Sequence, residues 1–459
     1  MRSRLSEKVA RCLSLRIVLL SAPVPTLPRD FHAWSKGERR SSSAQVLRGR
    51  ARWGAFADRT SSVPRTRSHA FLATLLGAAC VLGLVPADSA HAQLMVVGAD
   101  RKFDGAGGKR ETLEPGHDEL LLFDLMDPAR PALIGQLPLE NSIVGPPTNI
   151  AITPSQKLAL VANAVHAQRK ADGSGWENTP ADELFVVDLT ARPIKVINTI
   201  KVGAQPSGLA IDRAGTIALV ANRAGKSISV LSIRGNTVTV TETLPVGDTV
   251  NAVAIAPDGR HALATKLLAH KVAQLSITPE GRVTDDKRDL PVGLYPWNVA
   301  ITPDGRRALV NNMGAEGGSD GNVDTVTVID LANNPARVVQ HVTVGDAPEG
   351  LAITASGTLA VVTLLQGSYD APPSAWFRHE AGRVVVLKLE ADSVSVAGGS
   401  EVGGLPESVG ISPDGRYVYV GNFANSTLSV LTLGENGAVA GRHDMPLPGP
   451  PASLRVVGQ

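Results

Sequence analysis

The sequence predicts an all-β fold, a seven-bladed β-propeller of four-stranded antiparallel blades, and three observations carry that prediction. A motif that opens on an apolar linker residue, usually proline, and closes on an alternating apolar run recurs six times between residues 147 and 422, at spacings of 44 to 59 residues. The chain ends in a fragment of this motif, and its N-terminal part begins in the middle of one. No long stretch carries the apolar period of an amphipathic helix. A self-similar period in this range marks one four-stranded unit per repeat.

The copies read PTNIAITPSQKLALVAN from Pro147, PSGLAIDRAGTIALVAN from Pro206 and VNAVAIAPDGRHALATK from Val250. They continue with PWNVAITPDGRRALVNN from Pro296, PEGLAITASGTLAVVTL from Pro348 and PESVGISPDGRYVYVGN from Pro406. Each copy supplies a short inner strand, a tight turn and a second strand. The turn is Pro-Asp-Gly at residues 257–259, 303–305 and 413–415. Proline presets its first position and glycine accepts the left-handed one. A third strand alternates apolar and polar residues, as over 325–331 and 427–433. A fourth ends in Val-Gly, as at Gly203, Gly247, Gly293 and Gly345, and contains Pro138, Pro245, Pro291 or Pro446. Proline lacks the donor a central strand needs, so this strand is predicted to be the outer edge.

Closure is written at the two ends. Residues 451–457 match an inner strand and then the chain stops. Residues 94–98, 119–125 and 132–139 match a second, third and fourth strand. The C-terminus is thus predicted to complete a seventh blade whose other strands come from the N-terminal side.

Residues 1–92 form a leader distinct from the propeller domain at 93–459. They carry 15 Lys+Arg against 5 Asp+Glu, whereas the remainder carries 30 against 38. Arg65 and Arg67 precede an uncharged apolar run at 70–85, followed by Ala90, His91 and Ala92, the order of a secretory signal peptide. Residues 1–62 are Arg- and Ser-rich and fit a misassigned start, with Val63 as the alternative first residue. A periplasmic or extracellular protein is expected, with no membrane span in the mature chain. Both cysteines, Cys12 and Cys80, fall in the leader, so no mature disulfide or cysteine nucleophile is expected. The acidic mature chain is a poor nucleic-acid partner.

These motifs resemble the YVTN-repeat β-propeller family, through residues 417–422 (YVYVGN) and linkers such as VGDAP at 344–348. The resemblance spans the mature chain. It implies the fold, and relatives that are sugar lactonases, heavy subunits of amine dehydrogenases, or envelope proteins with no known reaction. The Gly-Pro-Arg-His linker of the lactonases is absent here; the linkers read PTN, PSG, PWN, PEG and PES.

The functional face is expected where linkers and the loops between second and third strands emerge together. Four of those loops are long, at 99–118, 164–182, 313–324 and 367–382. Of 12 aromatic residues after residue 92, eight fall in or beside loops of this face: Phe103, Trp176, Tyr295, Trp297, Tyr369, Trp376, Phe377 and Phe423. Trp297 and Asn298 follow a linker proline, so they should stand near the channel mouth, as should Glu349 and Glu407. With Trp176, Tyr369, Trp376, Arg378 and His379 they make up the candidate ligand-binding set. Trp297, as a residue of the loop face, is expected to contribute little to the blade core. Tryptophan and tyrosine join apolar area to a polar tip, which suits recognition.

His117, His166, His270 and His379 lack any short ligand spacing, so no metal is assigned. Asp172 with the following Gly-Ser-Gly reads as an ordinary turn. No nucleotide loop, dinucleotide fingerprint or nucleophile elbow appears, and no cofactor is assigned. The reading is an envelope propeller that binds a small molecule, glycan or protein partner on its loop-rich face, without a dedicated catalytic site. Two alternatives stay open: a lactone hydrolase, whose carboxylates would act as acid and base, and a non-catalytic subunit of a periplasmic redox enzyme. The exported protein should begin at Gln93, and intact-mass measurement of the secreted species checks this; a species retaining residues before 70 contradicts the signal peptide.

Overall fold

The computed structural model describes residues 93–459 except 109, 143 and 316. The leader, its cleavage site and both cysteines lie outside the described residues. Among the described residues no helix is long and apolar enough to cross a membrane.

Seven antiparallel sheets form the blades. Blades one to six begin with inner strands Ile150–Ile152, Pro206–Ile211, Val250–Ile255, Pro296–Ile301, Pro348–Ile353 and Pro406–Ile411. In the seventh, the C-terminal strand Pro451–Val456 pairs with Leu94–Ala99, which continues into Glu119–Asp124 and Ala132–Pro138. Met95 lies opposite Val456 and Val97 opposite Leu454, so the shared blade has the predicted register. The side chain of Gln459 clasps blade six, accepting from the Ile411 amide and donating to its carbonyl, both at 3.2 Å.

Alternation along each strand places apolar side chains on both faces, because every blade is covered by two neighbours. Seven apolar layers result, one between each pair of blades. Val96, Leu122, Ile150 and Val161 fill the layer between blades seven and one. Met95, Phe123, Tyr419 and Val430 fill the one between six and seven. The ring is therefore closed by packing on both sides of the shared blade. Pro138, Pro245, Pro291 and Pro446 all end outer strands, as the missing donor requires.

The turns and linkers behave as their residues dictate. Gly259, Gly305 and Gly415 take φ of 65°, 71° and 74° in the Pro-Asp-Gly turns. Three of the Val-Gly linkers have a reason that lies across the blade. A Cβ on Gly203, Gly293 or Gly403 would fall 2.5–2.6 Å from Asn222, Asn312 or Asn422, the last residue of the second strand. Each asparagine in turn donates to hydroxyls of the third strand, such as Asn422 to Ser429 at 2.8 Å and Asn312 to Thr327 at 2.8 Å. This cross-tie binds second strand, third strand and linker together.

Two expected loops are strands instead. Residues 164–182 form a ribbon in which Leu158–Arg169 and Trp176–Asp188 stay paired as far as Arg169 opposite Trp176. The turn between them contains Gly173 at φ 72°, with the Asp172 carboxylate accepting from the Ser174 amide at 2.9 Å. The ribbon's outer part, residues 168–180, is polar and largely exposed, and that composition hid the strands. Within 99–118, Phe103–Asp104 pairs with Glu111–Thr112, and Thr112 joins Trp176, so the seventh blade adds a small hairpin to the first blade's sheet.

Removing residues 451–459 strips the buried Ala452, Leu454 and Val456 from the seam. At about 1.5–3 kcal/mol for a large apolar side chain, with the ladder bonds in addition, the loss approaches the whole net stability of a typical domain. The truncated chain is expected to lose cooperative unfolding in thermal melts. An unchanged melting curve contradicts the shared blade.

Candidate functional site at the channel mouth

The first residue after each linker occupies the same position on every inner strand. These residues are Thr148, Ser207 and Asn251, then Trp297, Glu349 and Glu407, and lastly Ala452. The residue that follows each second strand makes a second tier, including Asp100, Arg223, Met313, Leu365 and Phe423. Between the tiers lies a cavity of about 280 Å³ at the mouth of the channel. Trp297, Glu349 and Glu407 line it from below. Asp100, Asp104, Arg110, Arg223 and Asp370 line it from the loops, with Phe103, Tyr295 and Phe423 as aromatic wall.

The linkers that deliver these residues are strained in a recurring way. Gln205, Tyr295, Ala347 and Leu405, each directly before a proline, have φ of 58°, 57°, 53° and 49°. A side chain in this left-handed region persists only where the surroundings fix it. Here the amide of each is captured: by Ala181 O at 2.7 Å, by His270 Nδ1 at 3.0 Å, by Asp324 Oδ2 at 3.0 Å and by Ser368 Oγ at 2.9 Å. The capture turns Tyr295 and Leu405 onto the cavity.

Trp297 is buried, at 9% exposure, on the inner strand itself. The expectation that it carries little of the core is therefore corrected: it packs with Leu267, Met313, Leu405 and Phe423. Its Nε1–H donates to Glu349 Oε1 at 2.5 Å, its ring stacks with Tyr295 at 5.9 Å, and the Arg223 guanidinium lies 5.7 Å from its centroid. Arg223 also donates to Val144 O at 2.7 Å, while its Nε has no partner.

The carboxyls are the unusual feature. Glu349 is 5% exposed, and burial pushes its carboxyl up to about 8, against the pull of the Trp297 donor and of Arg110. Glu407 is driven well above the ordinary range, first by burial and then by Glu349 and Asp100. Burial also lifts Asp370 to about 6. Among the described residues, Glu407 Oε2, Asp370 Oδ1, Thr148 Oγ1 and both amide atoms of Asn251 are buried without a hydrogen-bond partner. Such atoms cost free energy unless water or a ligand meets them.

The loop that carries Arg110 is held by a buried ionic knot. Lys102, fully buried, sits between Asp100 and Asp118 and donates to Asn141 O at 2.7 Å, and Ser142 donates to Asp100 at 2.8 Å. Tyr369, at φ 73°, donates its hydroxyl to Asp104 at 2.7 Å and fixes the cavity rim from behind.

Of the candidate ligand-binding set, the fold thus brings Trp297, Glu349 and Glu407 together, with Tyr369 behind them, and the loop-face aromatics Phe103, Tyr295 and Phe423 join them in the wall. The other members of the set lie apart from the cavity. Asn298 is buried beneath the mouth, its Oδ1 accepting from the Val299 amide at 2.9 Å. Trp176 stands on the ribbon. Trp376 is 81% exposed on the rim, edge-on to Phe377. Arg378 donates to Ala371 O at 2.6 Å, and His379 is exposed. Arg110, Arg223, Asp100, Asp104 and Asp370 were not singled out for the mouth. For Arg223 a signal existed: it follows ALVAN directly, at the position that Met313, Leu365 and Phe423 hold in other repeats. Among the described residues, no three His, Cys, Asp or Glu side chains are placed to hold a metal ion.

No family model matches the sequence, and no match is found among curated proteins. Solved structures do match. A protein of Bacteroides fragilis described as a candidate 6-phosphogluconolactonase is 17% identical, with a TM-score of 0.60 over 81% of this chain and 99% of that one. The periplasmic gluconolactonase of Pseudomonas aeruginosa is 19% identical, with a TM-score of 0.57 over 80% and 99%. A functionally unknown protein of Desulfotomaculum acetoxidans is 15% identical, with a TM-score of 0.58 over the same shares. The likeness is one of fold. These chains share the propeller, and the chemistry of the mouth must be argued from its own residues.

The raised carboxyls set a sign for stability. A carboxyl that holds its proton more tightly folded than unfolded imposes no penalty below its ordinary value of 4.5. Stability then falls as pH rises, until the folded value near 8 is passed. Glu349→Gln removes that penalty and keeps an acceptor for Trp297. It is expected to gain roughly 1–3 kcal/mol over the parent at pH 9 and almost nothing at pH 4.5. Chemical denaturation at the two pH values checks this; an equal effect at both refutes a buried protonated Glu349.

Proposed function

We propose that this protein binds a small molecule at the channel mouth of its loop-rich face. One observation carries the reading: a cavity of about 280 Å³ that combines partnerless buried polar atoms with a stacked aromatic wall. The lining sets convergent polar and charged groups beside aromatic surface, as a small-molecule site does. The volume suits a ligand of monosaccharide size rather than a polymer. The exposed rim around Trp376 offers a wider surface for a partner, but one without buried polar groups.

Lactone hydrolysis is the second reading, favoured by a specific feature of the same cavity. Glu349, with its carboxyl near 8, keeps its proton at neutral pH and is placed to donate it, as general acids do. Glucono-1,5-lactone hydrolysed at a rate that Glu349→Gln and Glu407→Gln both abolish supports a catalyst. Turnover equal to the buffer rate leaves a binding protein.

The site reading is tested by thermal-shift screening of the exported protein against metabolites. A true ligand raises the melting temperature by mass action. Its affinity is expected to fall roughly ten-fold or more in Trp297→Phe, which keeps an aromatic ring but loses the N–H to Glu349. It should be unchanged in Trp376→Ala. The reverse pattern moves the site to the rim.

A further inference from the structure

The mouth holds more acid than base. Five carboxyl groups line the cavity: those of Asp100, Asp104, Glu349, Asp370 and Glu407. Three cations answer them. Arg110 and Arg223 line the same cavity, and Lys102 pairs with Asp100 from behind at 3.2 Å. Lys102 also pairs with Asp118, so its charge is taken up within that knot; counted as full charges, the four carboxyls outside the knot face two arginines and are short of two positive charges. Among the described residues neither arginine makes an ion pair with these carboxylates within 4.0 Å, so none of the excess is neutralised by contact.

The excess is also unsatisfied in its hydrogen bonding. Glu407 Oε2 and Asp370 Oδ1 are buried with no partner. Glu349, 95% buried by its 5% exposure, uses Oε1 for Trp297, and its other oxygen has no recorded partner among the described residues. Asn251, fully buried at the equivalent ring position, has neither amide atom bonded. Among the described residues the acids do not converge three at a time into a metal-ligand cluster. The wall between them is aromatic, with Phe103, Tyr295 and Phe423, which attracts an organic cation through the faces of the rings.

We infer that the ligand of the mouth is a small organic cation, an ammonium or guanidinium compound, that binds against the Glu349–Glu407 pair. The inference rests on the mouth being the binding site and names what that site selects. In the empty protein the excess acid is silenced by protonation, since burial raises the Glu349 carboxyl to about 8 and drives that of Glu407 well above its ordinary range. When the cation enters, carboxylate oxygens accept from or face it, and the displaced protons pass to solvent. The groups facing the pair on every side are Arg110, Arg223, Asp100 and Asp370. Burial lifts Asp370 only to about 6, against the pull of Arg110, and leaves the glutamates as the groups that exchange.

Calorimetric titration of the exported protein at pH 7, in phosphate and in Tris, reads this directly. The probes are choline, putrescine and guanidinium as cations, D-glucose as a neutral molecule and D-gluconate as an anion. At least one cation is expected to bind with net proton release, seen as a buffer-dependent enthalpy. Its affinity should rise with pH by up to ten-fold per unit for each proton released, from pH 6 to pH 8. Glu407→Gln is expected to lower that affinity roughly ten-fold or more and to reduce the protons released, while its melting temperature at pH 8 stays at or above the parent's. Trp376→Ala should change neither. Glucose or gluconate binding with a dependence on Glu407, and no cation binding, overturns the cation while leaving the mouth as the site. A cation bound without proton release also overturns it. No binding by any probe overturns the inference, and protection by some other ligand that Trp297→Phe abolishes would still preserve the site.

Discussion

The pairing of the last strand, Pro451–Val456, with the first, Leu94–Ala99, is the contact on which the other six blades depend. The cores of the blades are apolar layers between neighbours, so a ring open at one seam would expose both faces of a layer to water. At the seam the C-terminal strand supplies the inner edge of the seventh blade. Leu454 and Val456 enter the layer shared with blade six, and Arg455 donates to Ile150 O of blade one at 3.0 Å. One short segment thus joins three blades. The same pairing fixes where Asp100 and the 101–118 loop leave the sheet, and therefore where Arg110 and Asp104 meet the cavity.

A second constraint transmits the repeat to the mouth. In blades two, four and six the asparagine ending the second strand fills the space that glycine leaves in the linker, and in four linkers a left-handed residue turns the chain into the next inner strand. Neither feature is local. Gly203 and Asn222 are 19 positions apart, and Tyr295 is held by His270 from the preceding blade. The linker path decides which side chain the inner strand presents first, so the ring of Thr148, Trp297, Glu349 and Glu407 follows from packing several residues away. The site is a product of the repeat, varied at one position.

That variation sets stability against recognition. Serine, threonine or alanine at the ring position costs little. Two glutamates there, with Asp370 above them, place carboxyls in surroundings that favour their neutral forms, a cost the rest of the fold must offset. Perturbed groups of this kind concentrate at functional sites. The buried knot of Lys102, Asp100 and Asp118 contrasts with them: its lysine lies between the two carboxyls and holds a loop, whereas each glutamate faces the cavity and, among the described residues, Glu407 Oε2 has no hydrogen-bond partner.

The sequence by itself determined the architecture, because each of its signals is short-range. Turn residues, strand alternation, edge prolines and a split repeat are all read within a few positions, and the 44–59-residue period adds their order. It also located Trp297, Glu349 and Glu407, since the register of a repeat tells which residue enters the channel. It misjudged 164–182, where polar residues on an exposed ribbon resemble a loop, and treated Trp297 as a surface residue because a linker neighbour seemed remote from the core. What only the tertiary structure decided was the company these residues keep. Arg110, Asp370 and Arg223 come from three separate blades, and their convergence depends on loop paths with no periodic signal. The burial that raises the glutamates, and the absence of partners for their oxygens, arise from that convergence, for a carboxyl's proton affinity is a property of its surroundings and not of its place in the chain.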